Sequence, residues 1–284
     1  MRLLNYVKAG KRTLGARSGD AIIDLTAAGL PDSIDALLAM GADGLRKAKE
    51  AAAKGGETTP FAQAKLLAPV LHPSKAIAVG LNYIDHAAES PYKDAPKYPV
   101  LFHRFPSSWV GHNEPLIKPK VSDQFDYEAE LAVIIGKSGR YIPKDKALDH
   151  VFGYSLFNDG SIRDYQFKSH QWMIGRNFDA TASFGPDLVT ADELPAGAVG
   201  LRIQARLNGQ VMQDANTKDM IFDVATLVST CSEIFALQPG DVIISGTPAG
   251  VGFARKPQVF MKQGDVIEVE VDKIGILRNT IKNE

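Results

Sequence analysis

The apolar and polar positions divide the chain into two regions. Over residues 1 to about 70, short apolar runs at Leu3 to Val7 and Ala21 to Leu25 predict strands. From Pro31 onward, Ile34, Leu37 and Leu38 recur at helical spacing, with Asp32 or Ser33 placed to cap the helix. Leu45 to Lys54 is helical but mostly Ala and Lys, which predicts a surface helix, and Gly55-Gly56-Glu57-Thr58-Thr59-Pro60 ends it. From Ser74 the pattern turns mostly β. Strands are predicted at Ala76 to Val79, Leu131 to Ile135, Val151 to Phe157, Leu201 to Leu207, Val242 to Ser245 and Val266 to Val271. Asn208-Gly209 between alternating runs predicts a hairpin. Pro239-Gly240-Asp241-Val242 and Gln263-Gly264-Asp265-Val266 predict two similar turns. Helices are expected mainly at 163–172 and 222–236. Many strands with few crossover helices point to an α+β fold, with a small α/β domain at 1–70 and the main domain at 71–284.

Composition narrows the function classes. An apolar fraction of 45% and a charged fraction of 23% suit a globular protein. A formal net charge of −1 gives no electrostatic reason for a nucleic-acid or anionic-membrane partner. The N-terminal residues lack an apolar signal core, no run reaches membrane-spanning length, and a cytoplasmic protein is expected. The single cysteine, Cys231, shares helical spacing with Leu227, Val228, Ile234 and Phe235, which predicts burial rather than catalysis.

Four segments carry candidate chemistry. In Asp126-Tyr127-Glu128-Ala129-Glu130-Leu131, extended backbone projects Glu128 and Glu130 to one face, while Ala129, Leu131, Val133 and Ile135 fill the other. Buried like charges repel and lose hydration, and a divalent cation resolves both problems. A solvated edge strand is the alternative. Asp159, ending the apolar run Val151 to Asn158, is a candidate third ligand or else a turn residue. Three carboxylates without a Cys/His cluster favour Mg²⁺, then Mn²⁺ or Ca²⁺.

His86 and Glu89, three apart after Gly80, share a face in a helical turn. They make a candidate general-base pair on a short lid-like segment ended by Ser90-Pro91, or else an exposed helix pair. Arg163, Gln166 and Arg176 are candidates for an anionic ligand or plain surface charge. Ser245-Gly246-Thr247-Pro248-Ala249-Gly250-Val251-Gly252 is not a phosphate loop, because Pro257 and further β pattern follow where a helix should run. Gly246 and Thr247 are candidates for a backbone nest with a hydroxyl, or for a tight turn.

Taken in order, several motifs resemble the fumarylacetoacetate hydrolase family, in its bacterial members with a short N-terminal extension. They are Val79-Gly80-Leu81-Asn82-Tyr83 with Asp85-His86 and Glu89; Phe102-His103-Arg104-Phe105-Pro106; Asp126 to Leu131; Asn158-Asp159-Gly160-Ser161 with Arg163-Asp164 and Gln166; Phe178-Asp179; Gly185-Pro186; Met220-Ile221-Phe222; and Gly246 to Gly252. The resemblance implies a mixed β-roll catalytic domain, a homodimer, and Mg²⁺ or Mn²⁺ on Glu128, Glu130 and Asp159. It also implies a His86–Glu89 dyad on a segment that closes over a 2-oxo or 2,4-diketo acid, with Arg104, Arg163, Gln166, Gly246 and Thr247 contacting substrate.

The implied activity is metal-dependent hydrolysis of a C–C bond in an acylpyruvate, with His86 activating water and Arg176 stabilising enolate charge. The alternatives are oxaloacetate decarboxylation, isomerisation or hydration of 2-oxo acids on the same site, and a non-catalytic 2-oxo-acid-binding relative. Two positions depart from the family, which usually has lysine at Arg104 and Arg176; arginine is no neutral amine base and forms no Schiff base. The acyl portion of the substrate depends on loops at 90–98 and 167–171.

Overall fold

The computed structural model of the protein describes residues 1–90 and 95–284; of the 90–98 loop, residues 91–94 lie outside the described residues. The N-terminal segment forms β1 (Arg2–Lys8), β2 (Lys11–Ser18), β3 (Ala21–Asp24), α1 (Ile34–Ala39), α2 (Gly41–Lys54), β4 (Thr58–Pro60) and β5 (Lys65–Leu66). Ser33 caps α1, its hydroxyl accepting from the Ala36 N–H. The expected surface helix α2 buries only Gly44 and Ala48. Strand β2, with charged residues at its start, is an addition that the apolar pattern did not predict.

The rest of the chain opens with β6 (Ala76–Gly80), α3 (Ile84–Glu89), β7 (Val100–His103), β8 (Trp109–Val110), β9 (Leu116–Lys118), β10 (Phe125–Asp126) and β11 (Ala129–Ile135). It continues through β12 (Val151–Asn158), β13 (Ser161–Ile162), α4 (Arg163–Gln166), α5 (Met173–Arg176) and β14 (Ala182–Thr190). It ends with β15 (Arg202–Leu207), β16 (Gln210–Asn216), α6 (Val224–Ile234), β17 (Val242–Ile244), β18 (Val266–Val271) and β19 (Gly275–Asn283).

Among the described residues, twelve strands form one sheet in the order β4-β3-β2-β1-β14-β12-β11-β17-β6-β7, with β5 beside β1 and β8 beside β14. A five-stranded sheet, β16-β15-β18-β19-β9, packs against it, and β10 pairs with β13. The pairing is mixed, since β17 runs parallel to β6 and antiparallel to β11. The class is α+β, as the strand pattern predicts. The break near residue 70 does not divide the sheet: β1 pairs with β14, placing Arg2 opposite Val189 and Leu3 opposite Leu188.

Strand β11 is covered on both faces rather than one. Leu131, Val133 and Ile135 pack in a core with Ile203, Val269 and Leu277 of the second sheet. Ala132 and Ile134 pack on the opposite side with Ala78, Ile244 and α1 residues Leu37 and Leu38. The expected helix at 163–172 is one turn, α4, followed by a separate turn, α5. The Ser169 hydroxyl bonds the Gln171 backbone there, competing with continued helical bonding. The second expected helix is α6, capped by Asp223, and it buries Cys231, whose thiol burial pushes up to about 12.

The two predicted turns match bond for bond. Asp241 accepts from Gln238 N and Asp265 from Lys262 N, with Gly240 and Gly264 both at φ +88°.

His112 sits where the N-terminal strands meet the second sheet, its Nδ1 accepting from Arg278 N at 3.1 Å. Burial, with Arg17 and Arg278 nearby, holds its imidazole down at about 4 against an ordinary 6.5. Below 6.5 the unfolded chain binds the proton that the folded protein refuses, so stability falls as pH drops from 6.5 toward about 4. His112→Asn should flatten that part of a stability–pH profile measured by urea denaturation. An unchanged slope would show that another group controls it.

Candidate active site

Register brings distant carboxylates together. In the β11–β12 pair, Ala129 lies opposite Asn158 and Glu130 opposite Phe157. Glu128 therefore meets Asp159 just beyond the paired ends, where Asp159 N donates to Glu128 O at 2.9 Å. Glu128 precedes β11 instead of lying within it, and Asn158 Oδ1 holds its backbone N–H at 3.0 Å. Glu128, Glu130 and Asp159 are all buried, with one oxygen from each within 4.8 Å of the others.

Three guanidiniums surround this cluster. Arg163 donates from Nε to Asp126 Oδ2 at 2.8 Å and from Nη2 to Glu128 Oε1 at 2.6 Å. Its Nη1 donates to Gln166 Oε1 at 3.0 Å. Arg176 Nη1 bonds Glu128 Oε2 at 2.6 Å and also reaches Asp159 Oδ2. Arg104 is fully buried; its Nη1 donates to Gly160 O at 3.2 Å and lies 3.1 Å from Asp159 Oδ1. Burial lowers the Arg104 guanidinium to about 10 despite Asp159 beside it.

The carboxylates respond unequally. Burial pushes Glu128 up, but Arg176 and Arg163 outweigh it and hold the group well below the usual range. Burial raises Glu130 strongly, and Asp159 and Glu128 raise it further. Burial also raises Asp159, against the pull of Arg176 and Arg104. Glu130 has no guanidinium within ion-pair distance among the described residues; Gly246 N is its donor.

These residues fit a hard divalent cation. Asp126, Glu128, Glu130 and Asp159 supply four buried carboxylates against the three guanidiniums of Arg104, Arg163 and Arg176. Asp159 Oδ1 accepts no hydrogen bond. Three converging oxygen ligands with one charge uncompensated suit Mg²⁺, Mn²⁺ or Ca²⁺ better than a soft metal.

Helix α3 stands over the same space. His86 Nδ1 lies 2.9 Å from Glu89 Oε1, and the Glu89 oxygens accept from Gly250 N at 3.1 and 3.0 Å. Gly250 has φ +104°, and a Cβ there would fall 2.2 Å from Met212 O, so this contact requires glycine. A cavity open to solvent is lined by His86, Glu89, Glu128, Glu130, Arg163, Gln166, Arg176 and Thr247, with an apolar wall of Phe102, Phe167, Trp172, Val251 and Phe253.

Two expected substrate contacts are placed differently. Arg104 does not line the cavity, because it is packed behind Asp159. Gly246 spends its N–H on Glu130. The glycine-rich segment is thus a clamp on the protein's own carboxylates and not an open nest. Gly250 N holds Glu89, while Gly252 N and Phe253 N hold Asp126 at 2.8 and 2.9 Å. Sequence reasoning gave no role to Asp126, to the aromatic wall, or to Gln213. The Gln213 amide donates to Thr247 Oγ1 at 2.8 Å and accepts from Ala129 N at 2.9 Å. The signal for Asp126 lay in its place two residues before Glu128.

Residues 75–282 match the family described as fumarylacetoacetate (FAA) hydrolase, C-terminal. The chain belongs to the fumarylacetoacetate hydrolase family. It is 41% identical to the mitochondrial oxaloacetate tautomerase fahd2 of Xenopus laevis, over 99% of this chain and 90% of that one. The fumarylacetoacetate hydrolase of psychrophilic Exiguobacterium antarcticum superposes with TM-score 0.87 at 36% identity, covering both chains fully. Maleylpyruvate hydrolase of Sphingobium sp. SYK-6, in complex with manganese (II) ion and pyruvate, superposes with TM-score 0.84 at 30% identity, over 100% and 99% of the chains. The family's mixed-sheet fold is therefore the fold of this chain. No helix among the described residues is long and apolar enough to cross a membrane. The mitochondrial location belongs to the Xenopus laevis relative.

Proposed function

We propose that this family member is a metal-dependent tautomerase of an oxaloacetate-type 2-oxo acid. The observation that carries this is the His86–Glu89 pair opening onto the same cavity as Glu128 and Glu130, two of the three clustered carboxylates. The extent of likeness to an oxaloacetate tautomerase supports it further. C–C hydrolysis of an acylpyruvate, which the motifs first suggested, becomes the second reading.

Glu128, Glu130 and Asp159 would hold the cation, with Mg²⁺ proposed ahead of Mn²⁺ and Ca²⁺. A bound cation would supply Lewis acidity at the 2-oxo group and offset enolate charge. With Nδ1 donating to Glu89, His86 has Nε2 to take a proton from C3 of the keto form and return one to oxygen, giving the enol, or to run this in reverse. Glu89, fixed by Gly250 N, sets the tautomer and orientation of the ring. Arg163 and Arg176 add fixed positive charge where the enolate forms, while Gln166 and Thr247 position the acid. Arg176 acts as a permanent cation and not as a base. A homodimer remains part of this proposal, as the family resemblance implied.

Hydrolysis has one specific support, the fold and identity shared with maleylpyruvate hydrolase. In that case His86 would deprotonate water instead of C3. Incubation with oxaloacetate and with an acylpyruvate separates the two. The expected result is a faster decay of enol absorbance for oxaloacetate with no CO₂ released. Faster release of pyruvate from the acylpyruvate, with oxaloacetate untouched, would reverse the order. CO₂ from oxaloacetate would make the enzyme a decarboxylase.

A further inference from the structure

The cavity has two chemically distinct ends. Its floor is ionic, and its two guanidiniums are already committed, Arg163 to Asp126 and Glu128, and Arg176 to Glu128 and Asp159. No lysine lines it among the described residues. Its remaining wall is aromatic: Phe102 and Trp172 meet edge to face at 5.9 Å between centroids, and Phe167 and Phe253 lie tilted at 5.2 Å. The two ends touch, since the Arg176 guanidinium carbon lies 4.9 Å from the Phe102 ring centroid.

The aromatic wall depends on one glycine. A Cβ on Gly80 would fall 2.3 Å from the Trp172 indole, so its absence lets the ring lie against the end of β6. Trp172, Phe102 and Leu81 also line a separate outer groove with Val100, Leu101 and His170, so they partition the two spaces.

We infer that, besides oxaloacetate-type acids, the site accepts 2-oxo acids whose C3 carries an uncharged group of aromatic size, seated against the Phe102–Trp172 and Phe167–Phe253 pairs. The inference rests on the proposed 2-oxo acid chemistry for the ionic end and adds the identity of the other end. A phenyl ring buries apolar area there and stacks edge to face. Phenylpyruvate has both features and enolises at C3, by the same proton transfer.

Calorimetric titration of the Mg²⁺-loaded protein with pyruvate and with phenylpyruvate tests this. Phenylpyruvate should bind about tenfold or more tighter. Trp172→Ala and Phe253→Ala should each reduce that ratio at least about threefold, with melting temperature as the check on folding. Equal or weaker binding of phenylpyruvate, or a ratio that neither variant moves, overturns the inference. Turnover separates the two proposals. If the binding ratio holds while no 2-oxo acid is converted, the tautomerase function fails and the aromatic subsite stands. If oxaloacetate is converted but phenylpyruvate binds no better than pyruvate, only the subsite fails.

Discussion

Glu128→Ala is expected to abolish metal-dependent turnover and to lower the unfolding free energy by about 3–5 kcal/mol. Both effects come from the double use of this carboxylate. It is one of three converging carboxylates that could hold a cation, and it also accepts from Arg163 Nη2 and Arg176 Nη1, each at 2.6 Å. Removing it leaves two buried guanidiniums short of their partner. Glu130→Gln is the contrasting variant. It should also lose metal affinity, but with little loss of stability, because the donor to Glu130 is Gly246 N and no guanidinium. Mg²⁺ titration by calorimetry and urea denaturation of the metal-free proteins read the two effects separately. If Glu128→Ala unfolds like wild type, the paired arginines carry no such cost; full wild-type activity in EDTA would remove the cation from the mechanism.

His86→Ala should lower turnover by about 10²-fold or more while leaving Mg²⁺ binding nearly intact. The imidazole lines the cavity without joining the carboxylate cluster, so its loss removes proton transfer and spares the cation site. Glu89→Gln should act through it, lowering turnover about tenfold while leaving Mg²⁺ binding nearly intact. Unchanged turnover in His86→Ala would take the base role away from this residue. Loss of Mg²⁺ binding in the same variant would mean that α3 supports the carboxylates structurally.

Much of the site was legible because its residues sit at fixed offsets on short elements. Glu128 and Glu130 are two apart in extended backbone, Asp159 terminates an apolar strand, and His86 and Glu89 are three apart in one helical turn. Offsets of this kind survive whatever surrounds them. The glycine-rich segment was legible as a source of free N–H groups but not in what those groups bind. Its partners, Glu130, Glu89 and Asp126, come from three other parts of the chain. Arg104 shows the same limit from the other side. Its charge suggested a substrate contact, yet its depth behind Asp159 is set by packing across β7, β12 and β13, which no local pattern encodes.

The amino-acid order by itself determined the strand-rich α+β class, the positions of about half the strands, the Asn208-Gly209 hairpin, the region of the α1 cap and where acidic and imidazole side chains stand at fixed offsets. Each of these follows from periodicity, turn preference or side-chain type within a few residues. Only the tertiary structure decided the rest. It joined the N-terminal strands to the main sheet through β1 and β14, buried both faces of β11, and brought Glu128 to Asp159 through strand register. It also placed an aromatic wall beside the ionic floor. Register and layer packing depend on contacts between residues far apart in the chain. Those contacts exist only once the sheets have closed on a shared core.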